Sequence, residues 1–149
     1  MNEAQAIVGF VADEIAVALL GQVMTLSGQV TERMRAGLER LDLTESVANL
    51  VWLLRPDTDP LPLRKLAAQL HCDPSNVTLL SAKLEERGLA ERRPHPRDGR
   101  VRTLVLTADG RRVREELIEL VARHSPLAGL DKTEQKQLHA LLDKAIASA

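Results

Sequence analysis

Aromatic residues are almost missing from this chain of 149 residues: Phe10 and Trp52 stand alone, and there is no tyrosine. Its core must therefore be filled by Leu, Val, Ile and Ala, which favours helices over an all-β fold. Cysteine is scarce too. The single Cys72 excludes an internal disulfide framework and suits a reducing cytoplasm, where the protein is expected to reside. Long apolar runs are also lacking. The stretch from Ala4 to Leu26 is broken by Asp13, Glu14 and Gln22 and has no basic leader, so neither a signal peptide nor a membrane span is expected.

The signatures of catalysis are missing as well. There is no Gly-rich phosphate loop, nucleophile elbow or zinc-protease helix motif. The carboxylate pairs Glu85-Glu86 and Glu115-Glu116 are adjacent on helical segments and so point apart. His71, His95, His124 and His139 show no close paired spacing with carboxylates or another cysteine, which leaves a metal site weakly supported. No enzyme, metal site or cofactor is expected.

What is present is an ordinary globular composition, 44% hydrophobic and 28% charged, with an uneven distribution of charge. The net charge is -1, yet Leu61 to Thr107 holds nine basic residues against five acidic ones, a local +4 that leaves -5 for the rest. A basic middle between acidic ends is the pattern of one module facing phosphates while its flanks do not.

The period of the apolar residues sets out the elements. From Ala4 to Leu41 there is no proline, and Ile7, Val11, Ile15, Ala18, Leu19, Val23, Leu26, Val30, Met34 and Leu38 recur at spacings of three and four. This predicts a long helix, apolar around much of its first half, that packs on a partner chain as well as its own. Thr44 caps a second helix to about Arg55 with Val47, Leu50, Val51 and Leu54 inward, stopped by Pro56. After a loop, Leu61-Pro62-Leu63 reads as a small edge strand. A third helix follows to Leu70, then a turn at His71-Cys72, then a fourth helix that Asp73 caps and Pro74 begins. Val77, Leu80, Ser81 and Leu84 form its inward face and Gly88 ends it. Two short helices joined so tightly spell a helix-turn-helix.

Past Gly88 the period changes. Leu89 to Arg93 and Val101 to Leu106 read as strands around a turn from Pro94 to Gly99. Thr107-Ala108-Asp109-Gly110 then caps a fifth helix, Ser125-Pro126 and Gly129 break it, and a last helix runs from about Asp131. The fold class is thus mainly α with a small β-wing.

Two places carry candidate DNA contacts. On the fourth helix Ser75, Asn76, Thr78 and Lys83 are left outside the apolar face, where Asn suits adenine and Ser or Thr suit several base edges. In the hairpin turn, Arg97, Arg100 and Arg102 exceed what a turn needs, and arginine gains from the potential of a narrow minor groove. Asp98 is expected to orient Arg100 by a charge-assisted hydrogen bond.

Asp98-Gly99-Arg100, then Leu106-Thr107 and Gly110, resembles the wing signature of the MarR family of bacterial winged-helix regulators. Leu66-Ala67, Leu70, Pro74-Ser75, Leu84-Glu85, Arg87-Gly88-Leu89 and Arg92-Arg93 resemble that family in order and spacing. The resemblance implies a homodimer on a pseudo-palindromic operator, with Arg100 at the minor groove, Asp98 orienting it, and Ser75, Asn76 and Thr78 facing bases. It implies a single domain, 1–149, in which 44–110 form the winged helix-turn-helix lobe and 1–41 and 111–149 the dimerisation helices. It also implies release of DNA, most simply from a repressor, when a small effector binds near the first and fifth helices and the helix at Thr44.

Two departures stand out. Leu79 occupies a position where family members often carry a basic residue, and the scarcity of aromatics leaves few stacking surfaces for an aromatic effector. Two alternatives stand beside this reading: a winged helix used only for protein contact, and a thiol-based redox sensor using Cys72.

Overall fold

A computed structural model of the chain describes residues 3–148, with side chains from Glu14 to Ser148. The expected inward positions Ile7 and Val11 lie outside the described side chains. Six helices and one hairpin follow in the order α1 (Glu3–Arg40), α2 (Glu45–Leu53), α3 (Leu63–Gln69), α4 (Pro74–Glu86), β1 (Ala90–His95), β2 (Asp98–Leu106), α5 (Ala108–His124) and α6 (Lys132–Ala147). A single 3-10 turn, Pro126–Gly129, precedes α6. Among the described residues no helix is long and apolar enough to cross a membrane.

Two compact units divide the chain, one from Met34 to Arg123 and one made of the segments up to Arg33 and from His124. The first holds the core. Leu50, Val51, Leu66, Val77, Leu84, Leu104 and Leu117 are fully buried there, so α2, α3, α4, β2 and α5 each supply at least one side chain. The inward faces expected for α2 and α4 are the buried ones. Ser81 is buried without cost to its hydroxyl, which donates to the Val77 carbonyl at 2.6 Å.

Three helices of this unit end in the same way. At the end of α4, Gly88 takes a φ of 65° and its N–H donates to the Glu85 carbonyl, while the Leu89 N–H reaches Leu84. Asp42 (φ 52°) and His71 (φ 50°) repeat this after α1 and α3, with Leu43 bonding back to Leu38 and Cys72 to Ala67. Each closure satisfies carbonyls that a helix end leaves open and folds an apolar residue back onto the helix. The tight turn between α3 and α4 is therefore a helix-ending motif, and Cys72 is its apolar residue, packed on the core.

Helix starts agree with expectation, and only the cap expected at α4 differs. Thr44 accepts from the Val47 N–H at 3.3 Å, and Asp131 with Glu134 makes a capping box on α6. Asp73 has the extended backbone of a cap, but its carboxylate accepts no capping bond, so Pro74 with its fixed φ starts the helix. Helix α2 stops at Leu53, short of the expected Arg55, because the residues approaching Pro56 must leave the helical region.

The hairpin is longer than its composition suggested. Strands β1 and β2 pair antiparallel from Ala90↔Leu106 through Pro94↔Arg102 to His95↔Asp98, with an irregularity between Pro94 and His95. The turn shrinks to Pro96 and Arg97, since a two-stranded ladder tolerates Pro94 where no third strand needs its missing N–H. The expected edge strand at Leu61-Pro62-Leu63 reduces to one bridge, Pro62 with Thr103. Thr107 joins the elements: its hydroxyl donates to the Gly88 carbonyl at 2.6 Å and accepts from the Gly110 N–H at 3.1 Å.

The unit of the terminal segments is different in character. Helix α6 contributes no buried residue, and Val17, Leu20 and Met24 on α1 are 70%, 61% and 68% exposed.

Candidate nucleic-acid interface

Helix α4 offers its N-terminal half to solvent. Ser75 and Asn76 are exposed, and neither side chain finds a partner among the described residues, so their hydrogen-bonding groups are available to a ligand. Thr78 is different. Its hydroxyl donates to the Pro74 carbonyl at 3.1 Å, which occupies its proton within the helix. Lys83 is exposed and without a partner among the described residues.

The wing arginines fall into two groups that the sequence could not separate. Arg100 and Arg102 are exposed and unpaired among the described residues. Arg97 instead pairs with Asp59, from the loop after α2, and Arg93 pairs with Glu91. Asp98 accepts from the backbone N–H of Arg100 at 3.1 Å, so it holds the turn's main chain and not the guanidinium expected. His95 accepts likewise from the Arg97 N–H at 3.1 Å. The two side chains fix the shape of the tip and leave the Arg100 guanidinium free.

Arg92 plays a part that counting charge did not suggest. Its guanidinium donates to the Thr78 carbonyl at 3.3 Å and meets Glu85 at 3.3 Å, bracing β1 on α4. Arg87 similarly donates to the Leu41 carbonyl at 3.0 Å, anchoring the end of α4 to the end of α1. Sequence separations of 14 and 46 residues hid both links.

A groove of about 460 Å³ lies behind the wing, walled by the loop from Arg55 to Leu61, the inner strand residues Thr103 to Leu106, and Ala108 and Arg111 of α5. On its rim the Arg55 guanidinium hydrogen-bonds Asp57, which holds that carboxyl below its ordinary range and raises the arginine above its own. Among the described residues no cluster of His, Cys, Asp and Glu could hold a metal ion.

The Asp59 and Arg97 pair is exposed, so its worth to folding is about 0–1 kcal/mol. Asp59→Asn is accordingly expected to leave thermal stability unchanged. It should tighten binding of duplex DNA several-fold at low salt, because Arg97 is released and a negative charge removed; titration of a fluorescent duplex checks this, and equal affinity contradicts it.

A tight pair of helices followed by an arginine-bearing hairpin braced on the second helix defines a winged helix-turn-helix protein. Comparison with known proteins narrows the class. The MarR family model matches residues 43–101. A Bacillus subtilis (strain 168) protein, the organic hydroperoxide resistance transcriptional regulator, is 26% identical over 116 residues, 78% of each chain. The crystal structure of CouR from Rhodococcus jostii RHA1, bound to p-coumaroyl-CoA, matches with a TM-score of 0.73 and 26% identity over 90% of this chain and 92% of CouR. A MarR-family transcriptional regulator from Rhodococcus sp. RHA1 matches with a TM-score of 0.71 and 25% identity, over 90% and 93% of the two chains. In sequence and in fold the chain is thus similar to MarR-family transcriptional regulators.

Proposed function

We propose that the protein is a cytoplasmic, homodimeric repressor that binds a pseudo-palindromic operator with half-sites about one helical turn apart. The observation that carries this reading is the pairing of two sets of available groups: Ser75 and Asn76 on α4, and Arg100 and Arg102 on a wing whose tip is fixed by Asp98 and His95. In it α4 enters the major groove, Lys83 sits near phosphate, and the wing follows the flanking minor groove.

The second copy covers the exposed aliphatic residues of the terminal helices, with 1–41 and 111–149 as the dimerising parts and 44–110 as the reading lobe. Their support is the density of apolar surface there: Leu141 and Ile146 of α6 are 66% and 73% exposed, beyond what scattered surface leucines explain. An effector is included in the proposal. CouR has p-coumaroyl-CoA bound, which supports small-molecule control in a chain of the same fold. The effector acts by favouring a dimer whose recognition helices are wrongly spaced for DNA.

Selection of bound fragments from the source genome tests the reading. Enrichment of an inverted repeat is expected, with an affinity that falls steeply as salt rises; a chain that enriches no duplex is a protein-contact module instead. On the enriched site, Arg100→Ala is expected to weaken binding by about 1–3 kcal/mol and to flatten the salt dependence. Unchanged affinity removes the wing from the interface.

A further inference from the structure

Leu79 is an apolar side chain where solubility argues for a polar one. It is 57% exposed, while the core side of α4 is already filled by Val77, Leu80, Ser81 and Leu84. At 3.6 residues per turn, Leu79 lies one turn beyond Ser75 and one turn before Lys83, on the side away from the core. It therefore occupies the middle of the face on which the DNA-binding reading depends, between a hydroxyl and an ammonium group that finds no partner among the described residues.

Packing gives this leucine no role, so its role depends on what meets it. A major groove is lined by hydrogen-bonding base edges and flanked by phosphates, none of which attracts an aliphatic group. The exception is the C5 methyl of thymine, the apolar group that a base displays there. The neighbouring Thr78 hydroxyl is bonded back to Pro74 and does not compete to hydrate that spot. Arg92 braces the same turn of α4 through the Thr78 carbonyl, so the main chain beside Leu79 is held at a fixed place relative to the wing.

We propose that Leu79 is a specificity-determining residue that reads a thymine methyl in each half-site, by apolar contact that excludes water. The proposal rests on the DNA-binding reading above and adds to it a required thymine near the bases that Ser75 and Asn76 face. A leucine gives no attraction to phosphate, so this position contributes sequence preference and no salt dependence.

The test uses full-length protein and the site enriched from genomic fragments, remade with each thymine replaced singly by deoxyuridine, which deletes the methyl and keeps the base pair. Wild type is expected to lose about fourfold in affinity at one thymine per half-site, the factor that burial of a single methyl-sized group supports. Leu79→Ala is expected to bind the thymine and uracil duplexes equally, and being an exposed substitution it should fold as wild type does. Leu79→Arg is expected to bind with a steeper salt dependence and without uracil sensitivity. Uracil sensitivity that is absent in wild type, or that persists in Leu79→Ala, overturns the proposal and leaves the DNA-binding reading standing. Failure of every duplex to be enriched removes both.

Discussion

Gly110→Ala is expected to lower the melting temperature by about 10 °C or more, corresponding to at least about 3 kcal/mol lost from a domain of this size. A Cβ at Gly110 lands on the main-chain carbonyl of Leu89 and crowds the Leu106 side chain. Neither the first turn of α5 nor the start of β1 can give way cheaply, because Thr107 is bonded to both Gly88 and Gly110. The same substitution at Gly99, where nothing lies within 4 Å of the added carbon, is expected to be close to neutral and serves as the internal comparison. Thermal denaturation of both variants measures the difference; a Gly110→Ala protein as stable as wild type contradicts the packing described for that junction.

The second large effect belongs to the terminal helices. Val17 and Leu20 lie three apart on α1, on one face and largely exposed. In a homodimer each substitution is present twice, so Val17→Glu combined with Leu20→Glu places four carboxylates in an apolar contact. At about 1 kcal/mol each, a low figure for burying such groups, this costs about 4 kcal/mol, roughly a thousandfold in the dimer dissociation constant. Sedimentation at micromolar concentration is expected to find dimers of wild type and monomers of the double variant. Core residues of the compact unit from Met34 to Arg123 begin at Leu38, so its helical circular dichroism should persist. A double variant that remains dimeric contradicts this assignment of the interface.

The sequence was most legible where period and packing coincide. The spacing of Val77, Leu80, Ser81 and Leu84 was enough to orient α4, because a buried face repeats every three or four residues and no distant group alters it. The helix ends were less legible. Gly88 advertised its left-handed φ, but Asp42 and His71 adopt the same conformation without a glycine to mark them. Their closure depends on the following apolar residue reaching the core, a tertiary condition.

For the candidate site the limit was partner choice. Counting arginines located the wing, yet could not tell a free guanidinium from one committed elsewhere. Arg97 meets Asp59 across 38 residues and Arg92 meets the Thr78 carbonyl across 14, and neither distance leaves a local pattern. Asp98 was placed correctly beside Arg100, while the atom it holds turned out to be the backbone nitrogen. A carboxylate two residues from an N–H reaches it more readily than it reaches the end of a long side chain.

Because Arg92 fastens the hairpin to α4 by both the Thr78 carbonyl and Glu85, the two elements proposed to read DNA are tied together like one jaw of a caliper. In the proposed complex these contacts oppose drift of the hairpin away from the helix. Under the dimer proposed here, control of DNA occupancy then reduces to one variable, the gap between two jaws, and mutations that soften Arg92 should blur operator choice without touching a base.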